Sequence, residues 1–185
     1  MHRQLQVVVD EFDAAQARLH RLAAAVPESL WTVRHDPARW SVGECVAHLN
    51  LTAEGFLPLI RQGIAAGRAL GGTTAVRLRR DPVGWLLWRT AGPPVRHRVR
   101  TTAPFVPSGD APRARTLDDF DRLQAEQVRS VHDADGLPLN RIRVTSPFDA
   151  RVRYSLFSCL TILPRHQQRH LWQAEQVLEG LRRAR

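Results

Sequence analysis

Apolar residues recur every three or four positions along four stretches of this chain, the spacing that lays one stripe of an α-helix against a core. In the first stretch, Leu5, Val8, Phe12, Ala15, Leu19, Leu22 and Val26 fall on one face and predict a helix from about Arg3 to Val26, closed by Pro27. The second opens with Ser41, Val42, Gly43 and Glu44, a capping box in which Ser41 caps the first turn and Glu44 answers from the third helical position, with Trp40 and Cys45 as the accompanying apolar pair. Its inner face carries Cys45, Val46, Leu49 and Phe56, and it runs toward Ala66 with a bend expected at Pro58, until Gly67, Gly71 and Gly72 stop it. A third helix is predicted from Thr116, with Asp118 and Asp119 near the positive end of its dipole and Leu117, Phe120, Leu123, Val128 and Val131 as its stripe, up to Asp135 and Gly136. The fourth spans about Leu156 to Arg182, with a kink or restart at Pro164.

Two connections are less regular. Thr73 to Arg115 is rich in Pro, Gly and Arg, and Asp81 followed by Pro82 predicts one short helix, Pro82 to Arg89, carrying Trp85, Leu86 and Trp88. A connection of that length serves as a lid, a crossover or an interface, so a homodimer contact is one expectation for it. Between helices three and four, 141–145 and 150–154 alternate apolar and polar residues around Ser146, Pro147, Phe148 and Asp149, which predicts an extended connection or a short hairpin. Four long amphipathic segments without a convincing sheet give an all-α fold, a helical bundle, with residues 1–185 forming a single domain.

At 185 residues the chain can bury a core without disulfide staples. Its two cysteines, Cys45 and Cys159, lie in apolar helical patterns and are expected free and buried. No run of about 18 apolar residues suggests a membrane span, and the first ten residues lack a secretory apolar core; the expectation is a cytoplasmic protein that does not engage membranes. The formal charge is +9, yet ten arginines and two aspartates between Arg68 and Arg115 supply +8 of it. All 27 residues counted as Lys+Arg are arginine, a bias that composition alone does not tie to phosphate recognition. With neither a helix-turn-helix nor an RNA-binding signature, nucleic acid is a disfavoured partner.

The chemistry sits on the fourth helix. His166 and His170 step with Leu163, Ala174, Val177 and Leu181, so both rings point inward, and two imidazoles one turn apart place nitrogens close enough to share a transition-metal ion. A third ligand must come from another element, and His48, flanking the inner face of helix two, is the candidate. Glu44, one turn before His48, is a candidate general base as well as half of the capping box; Tyr154, just ahead of helix four, is a candidate to reach the same cavity. Cys45 could serve as a fourth ligand, although a thiolate there would close a centre that catalysis needs open, and Gln173 could orient a ligand or lie on the surface.

Trp40, Ser41, Glu44, His48 and Leu49 at the start of one helix, followed far downstream by His166, His170, Trp172 and Gln173 on the last, resemble the DinB superfamily, including its YfiT-like members. The resemblance implies an up-up-down-down four-helix bundle with a long crossover between helices two and three. It implies a divalent ion, zinc or nickel, held by His48, His166 and His170 with water completing the shell. It also implies the activity of a metal-dependent thiol S-transferase or hydrolase, acting on a small-molecule electrophile with a low-molecular-weight thiol as partner. The competing expectation is a non-catalytic binding module that uses the Arg/Trp-rich segment 77–100, including Arg77, Arg79, Arg80, Trp85 and Trp88, on nucleic acid or another acidic partner.

Overall fold

A computed structural model describes residues 1–94, 101–109 and 111–184. It contains four long helices, α1 (Arg3–Ala25), α2 (Val42–Leu70), α4 (Arg113–Asp133) and α5 (Leu156–Arg183), a short α3 (Pro82–Ala91), and two three-residue strands. Helices α2, α3 and α5 begin where the sequence offers a side-chain cap. Ser41 Oγ accepts from Glu44 N at 3.1 Å while Glu44 Oε2 accepts from Ser41 N at 2.8 Å, so the capping box forms as expected. Asp81 caps α3 through Gly84 N at 3.2 Å, and Ser155 caps α5 through Ser158 N at 3.1 Å.

Three boundaries differ from expectation. Helix α4 starts at Arg113, because Pro112 sets the entry and both the amide and the hydroxyl of Thr116 bond back to the Pro112 carbonyl, placing Thr116 inside the first turn. Helix α2 continues through Pro58 to Leu70 and ends at Gly71, whose φ of 65° suits a residue without Cβ. Helix α5 passes through Pro164 without restarting; Leu160, Leu163 and Leu171 are buried on both sides of the proline, and their packing outweighs the lost backbone bond. The expected hairpin is present as β1 (Arg143–Thr145) and β2 (Arg153–Ser155), antiparallel with Val144 opposite Tyr154.

Residue pairs give the helix directions. His2 meets Asp135 and Arg113 meets the Ala23 and Val26 carbonyls, so α1 and α4 run antiparallel. Asn50 reaches Thr116, Arg61 reaches Glu126 and Arg68 reaches Asp133, so α2 and α4 run parallel. Arg18 binds Glu175 and Arg182 reaches Ala25, so α1 and α5 are parallel. The order is therefore up-down-down-up, a correction to the up-up-down-down order that the resemblance implied. The connection 26–41 joins helix ends on one side of the bundle, and only the crossover 71–112 travels its full length. Each of α1 and α2 packs on both α4 and α5.

The interior is layered along the bundle axis. One apolar cluster holds Phe12, Phe56, Ile60, Leu139, Leu156 and Leu160 at one end, and a second holds Leu19, Trp31, Val42, Val46, Leu171 and Ala174 at the other. Between them lies a polar waist of buried His48, Thr52, Gln124, Gln127, Gln167 and His170. The waist is knit by Gln167 Nε2 donating to Gln124 Oε1 at 2.7 Å and Gln124 Nε2 to the Phe12 carbonyl at 2.6 Å. Buried amides joined in this way tie α1, α4 and α5 in one register, because a slip would strand their donors.

Candidate metal centre

The waist is where the histidines meet. His48 comes from the second turn of α2, and His166 and His170 from adjacent turns of α5, which runs antiparallel to it. Ring centroids are 4.4 Å apart for His48–His170 and for His166–His170, and 5.3 Å for His48–His166. One nitrogen from each ring lies within 4.8 Å of the other two, so the three residues could hold a metal ion. Nε2 of His166 and Nε2 of His170 are 3.1 Å apart; two nitrogens on one tetrahedral zinc at the usual bond length are separated by about 3.3 Å.

Hydrogen bonding supports the fit. His48 Nδ1 lies 2.8 Å from the Phe105 carbonyl, which can only accept, so this nitrogen carries the proton and Nε2 is left with a free lone pair. His166 Nδ1 and His170 Nδ1 are buried without a hydrogen-bond partner. The Nε2 atoms of His166 and His170 meet each other rather than a complementary protein donor or acceptor, which fits a centre where a cation takes up their lone pairs. Trp40 lies against His48 and His170 at centroid distances of 4.8 and 5.9 Å, and Phe148 is 6.2 Å from His166, giving the cluster an aromatic wall.

Electrostatics keep the rings in their ligating form. Burial lowers the His48 pKa against the opposing Phe105 hydrogen bond. His166 is pushed down to about 3, by burial first and then by His48 and Arg169, and His170 is held well below the ordinary value by burial, His166, His48 and Arg169. All three are neutral at pH 7, the state in which imidazole binds a metal.

The other candidate residues sit elsewhere or are otherwise engaged. Glu44 is 2% exposed, and its carboxylate accepts from Ser41 N and from Arg34, whose Nε is 2.9 Å from Oε2. Burial alone would raise that carboxyl, but Arg34 and Ser41 hold it below the usual value, so it is ionised and saturated with donors. Tyr154 packs in the apolar layer with Val144, Leu156 and Cys159, and burial pushes its phenol far up. The Cys45 thiol is buried in the opposite layer and pushed up to about 12 by burial and by Glu44, which keeps it a neutral core group. Gln173 is half-buried beside His170 and favours its charged form slightly. Both cysteines are free and buried.

In the Arg/Trp-rich segment 77–100, residues 95–100 lie outside the described residues. The guanidinium groups of Arg80 and Arg165 both lie over the Trp88 ring, and Trp85 is 52% exposed. None of the helices among the described residues is long and apolar enough to cross a membrane.

Two features of the centre had no signal in the sequence. Phe105 acts through its carbonyl, which any residue could supply, from a turn within the crossover. Its ring packs on α2 over Gly55, where a Cβ would lie 2.8 Å from Phe105 Cε1. Arg169, one residue ahead of His170, adds positive charge against both α5 histidines.

The family model of the DinB superfamily matches residues 11–174, a span that includes all three histidines. No curated protein and no solved structure matches the chain. A helical bundle with a long crossover, three converging imidazoles and this match over most of its length together place the chain in the DinB superfamily.

Proposed function

We propose that the protein is a metal-dependent enzyme in which His48, His166 and His170 hold a divalent transition-metal ion, zinc or nickel, that activates water or a low-molecular-weight thiol for attack on a small electrophile. The observation that carries this reading is the convergence of three neutral imidazoles from two antiparallel helices on a common point. Three protein ligands leave a coordination position for an exogenous group, the arrangement of catalytic rather than structural sites. An ion bound there would lower the pKa of its water or thiol and supply a nucleophile near neutral pH.

The chain's own residues support that chemistry. The Phe105 carbonyl fixes the His48 tautomer, burial keeps protons off His166 and His170, and the Trp40 and Phe148 rings shed water from the centre. In the transfer reaction the thiol sulfur bonds to the electrophilic carbon, the leaving group departs with its electron pair, and the thiol proton passes to solvent. In hydrolysis water takes the place of the thiol. Thiol transfer is the preferred form because it is the activity implied by family resemblance. Protein purified without a histidine tag should contain about one equivalent of metal, and His48→Ala, His166→Ala and His170→Ala should each lose it together with thiol transfer to a small alkyl electrophile and ester hydrolysis. Metal-free wild-type protein after growth with zinc and nickel, failing to bind either ion on titration, refutes the proposal.

A further inference from the structure

On the α3–α5 junction, two neighbouring side chains each bury a hydrogen-bond donor that has no acceptor. Trp88 Nε1 and Arg165 Nε are both sealed from solvent and unpartnered. Orphaned buried donors are rare, and two on touching side chains point to a missing acceptor. The Arg165 guanidinium lies 4.8 Å from the Trp88 ring centroid, and Arg80 lies 4.1 Å from the same ring. Arg80 is fixed by Nε donating to Thr161 Oγ1 at 2.9 Å, one turn before Arg165 on α5. Arg169 Nη1 donates to the Thr90 carbonyl at 3.1 Å and ties the far end of α3 to the same helix.

Room for the Arg165 head is made by Gly92. A Cβ there would lie 2.5 Å from Arg165 Nε and 2.8 Å from its Cζ. Two guanidinium groups thus lie over one indole ring, with Glu11 as an acidic group whose charge acts on both Arg80 and Arg165. A guanidinium fork and an N–H donor beside an aromatic face match an oxygen-rich anion in charge and in hydrogen-bonding capacity.

We infer that Arg80, Trp88 and Arg165 form a binding site for the oxyanion of a small soluble molecule, a phosphate or carboxylate group, held between α3 and α5. Trp88 Nε1 and Arg165 Nε donate to it, while Arg80 supplies charge across the indole. The site is separate from the histidine cluster and does not depend on a metal. It lies on the neighbouring face of α5, since Arg165 directly precedes His166.

The test is calorimetric titration of the full-length protein with orthophosphate and, separately, acetate at constant ionic strength, using wild type, Arg165→Met, Trp88→Phe and His48→Ala. Wild type should bind at least one of the two anions saturably. Arg165→Met and Trp88→Phe should each weaken that binding about tenfold or more, as expected on losing a hydrogen bond to a charged group, and His48→Ala should leave it unchanged. Trp88→Phe keeps the aromatic face and removes a single N–H, so it decides the matter if Arg165→Met does not fold. The inference is overturned by no saturable binding of either anion to wild type, or by binding unchanged in both junction variants. Loss of binding in His48→Ala with retention in Arg165→Met would also overturn it, because the anion would then sit at the histidines.

Discussion

Replacing Asp81 should loosen the crossover helix from the bundle, and the size of the effect follows from its contacts. Its carboxylate accepts from Ser155 N at 2.7 Å, Ser158 Oγ at 2.8 Å and Gly84 N at 3.2 Å, joining the start of α3 to β2 and to the first turn of α5. Burial pushes the Asp81 carboxyl up, but these donors outweigh it and bring it from 3.8 down to about 2. That difference corresponds to ~2.4 kcal/mol before solvent screening, and to ~1–2 kcal/mol after allowing for the accessible part of the group. Because the folded-state pKa lies below the unfolded one, the stabilisation is complete well above pH 3.8 and is lost as pH falls toward 2; about half should remain at pH 3. Urea unfolding of Asp81→Asn at pH 7 should therefore show a loss of ~1–2 kcal/mol, or ~2–8 °C in melting temperature for a domain of this size. The gap from wild type should narrow to about half at pH 3. A gap that stays constant from pH 7 to 3, or a variant as stable as wild type at pH 7, would refute the role given to this carboxylate.

Three further outcomes concern the histidine centre. Since burial holds the three rings neutral, zinc affinity measured by competition with a chromophoric chelator should change less than about tenfold between pH 7.5 and 5.5, whereas three ligands of ordinary pKa would lose roughly a thousandfold; the steeper fall would show that the rings titrate normally. In metal-free protein the same burial makes the unfolded state bind more protons below pH 6.5, so stability should decline as pH drops from there. Gly55→Val should push the Phe105 ring off α2 and with it the carbonyl that orients His48, lowering metal affinity by about 10- to 100-fold. Unchanged affinity in that variant would show that the Phe105 carbonyl does not position the ligand.

Much of the architecture was legible because it rests on local physics. The Ser41–Glu44 box, the Asp81–Pro82 start and the Gly71 stop are short-range backbone effects, and the structure realises each where the residues stand. Pro58 and Pro164 show the limit of local reasoning: each removes a backbone bond, yet the helix continues through both, with buried residues on either side. Helical spacing put His166 and His170 on the inward stripe and made His48, beside the inner face of helix two, the third candidate, which motif resemblance then supported.

Most helices, three of their side-chain caps and their apolar faces could be read from the chain alone, because each depends on residues within a turn or two of one another. Tertiary structure alone decided the up-down-down-up order, the polar waist between two apolar layers, the Phe105 carbonyl on His48 and the paired orphan donors at Trp88 and Arg165. These pair groups tens of residues apart, and their placement depends on how the crossover returns to the bundle. Loop closure over that distance leaves no periodic trace in the chain, since its cost and its contacts are settled by packing rather than by any neighbouring residue.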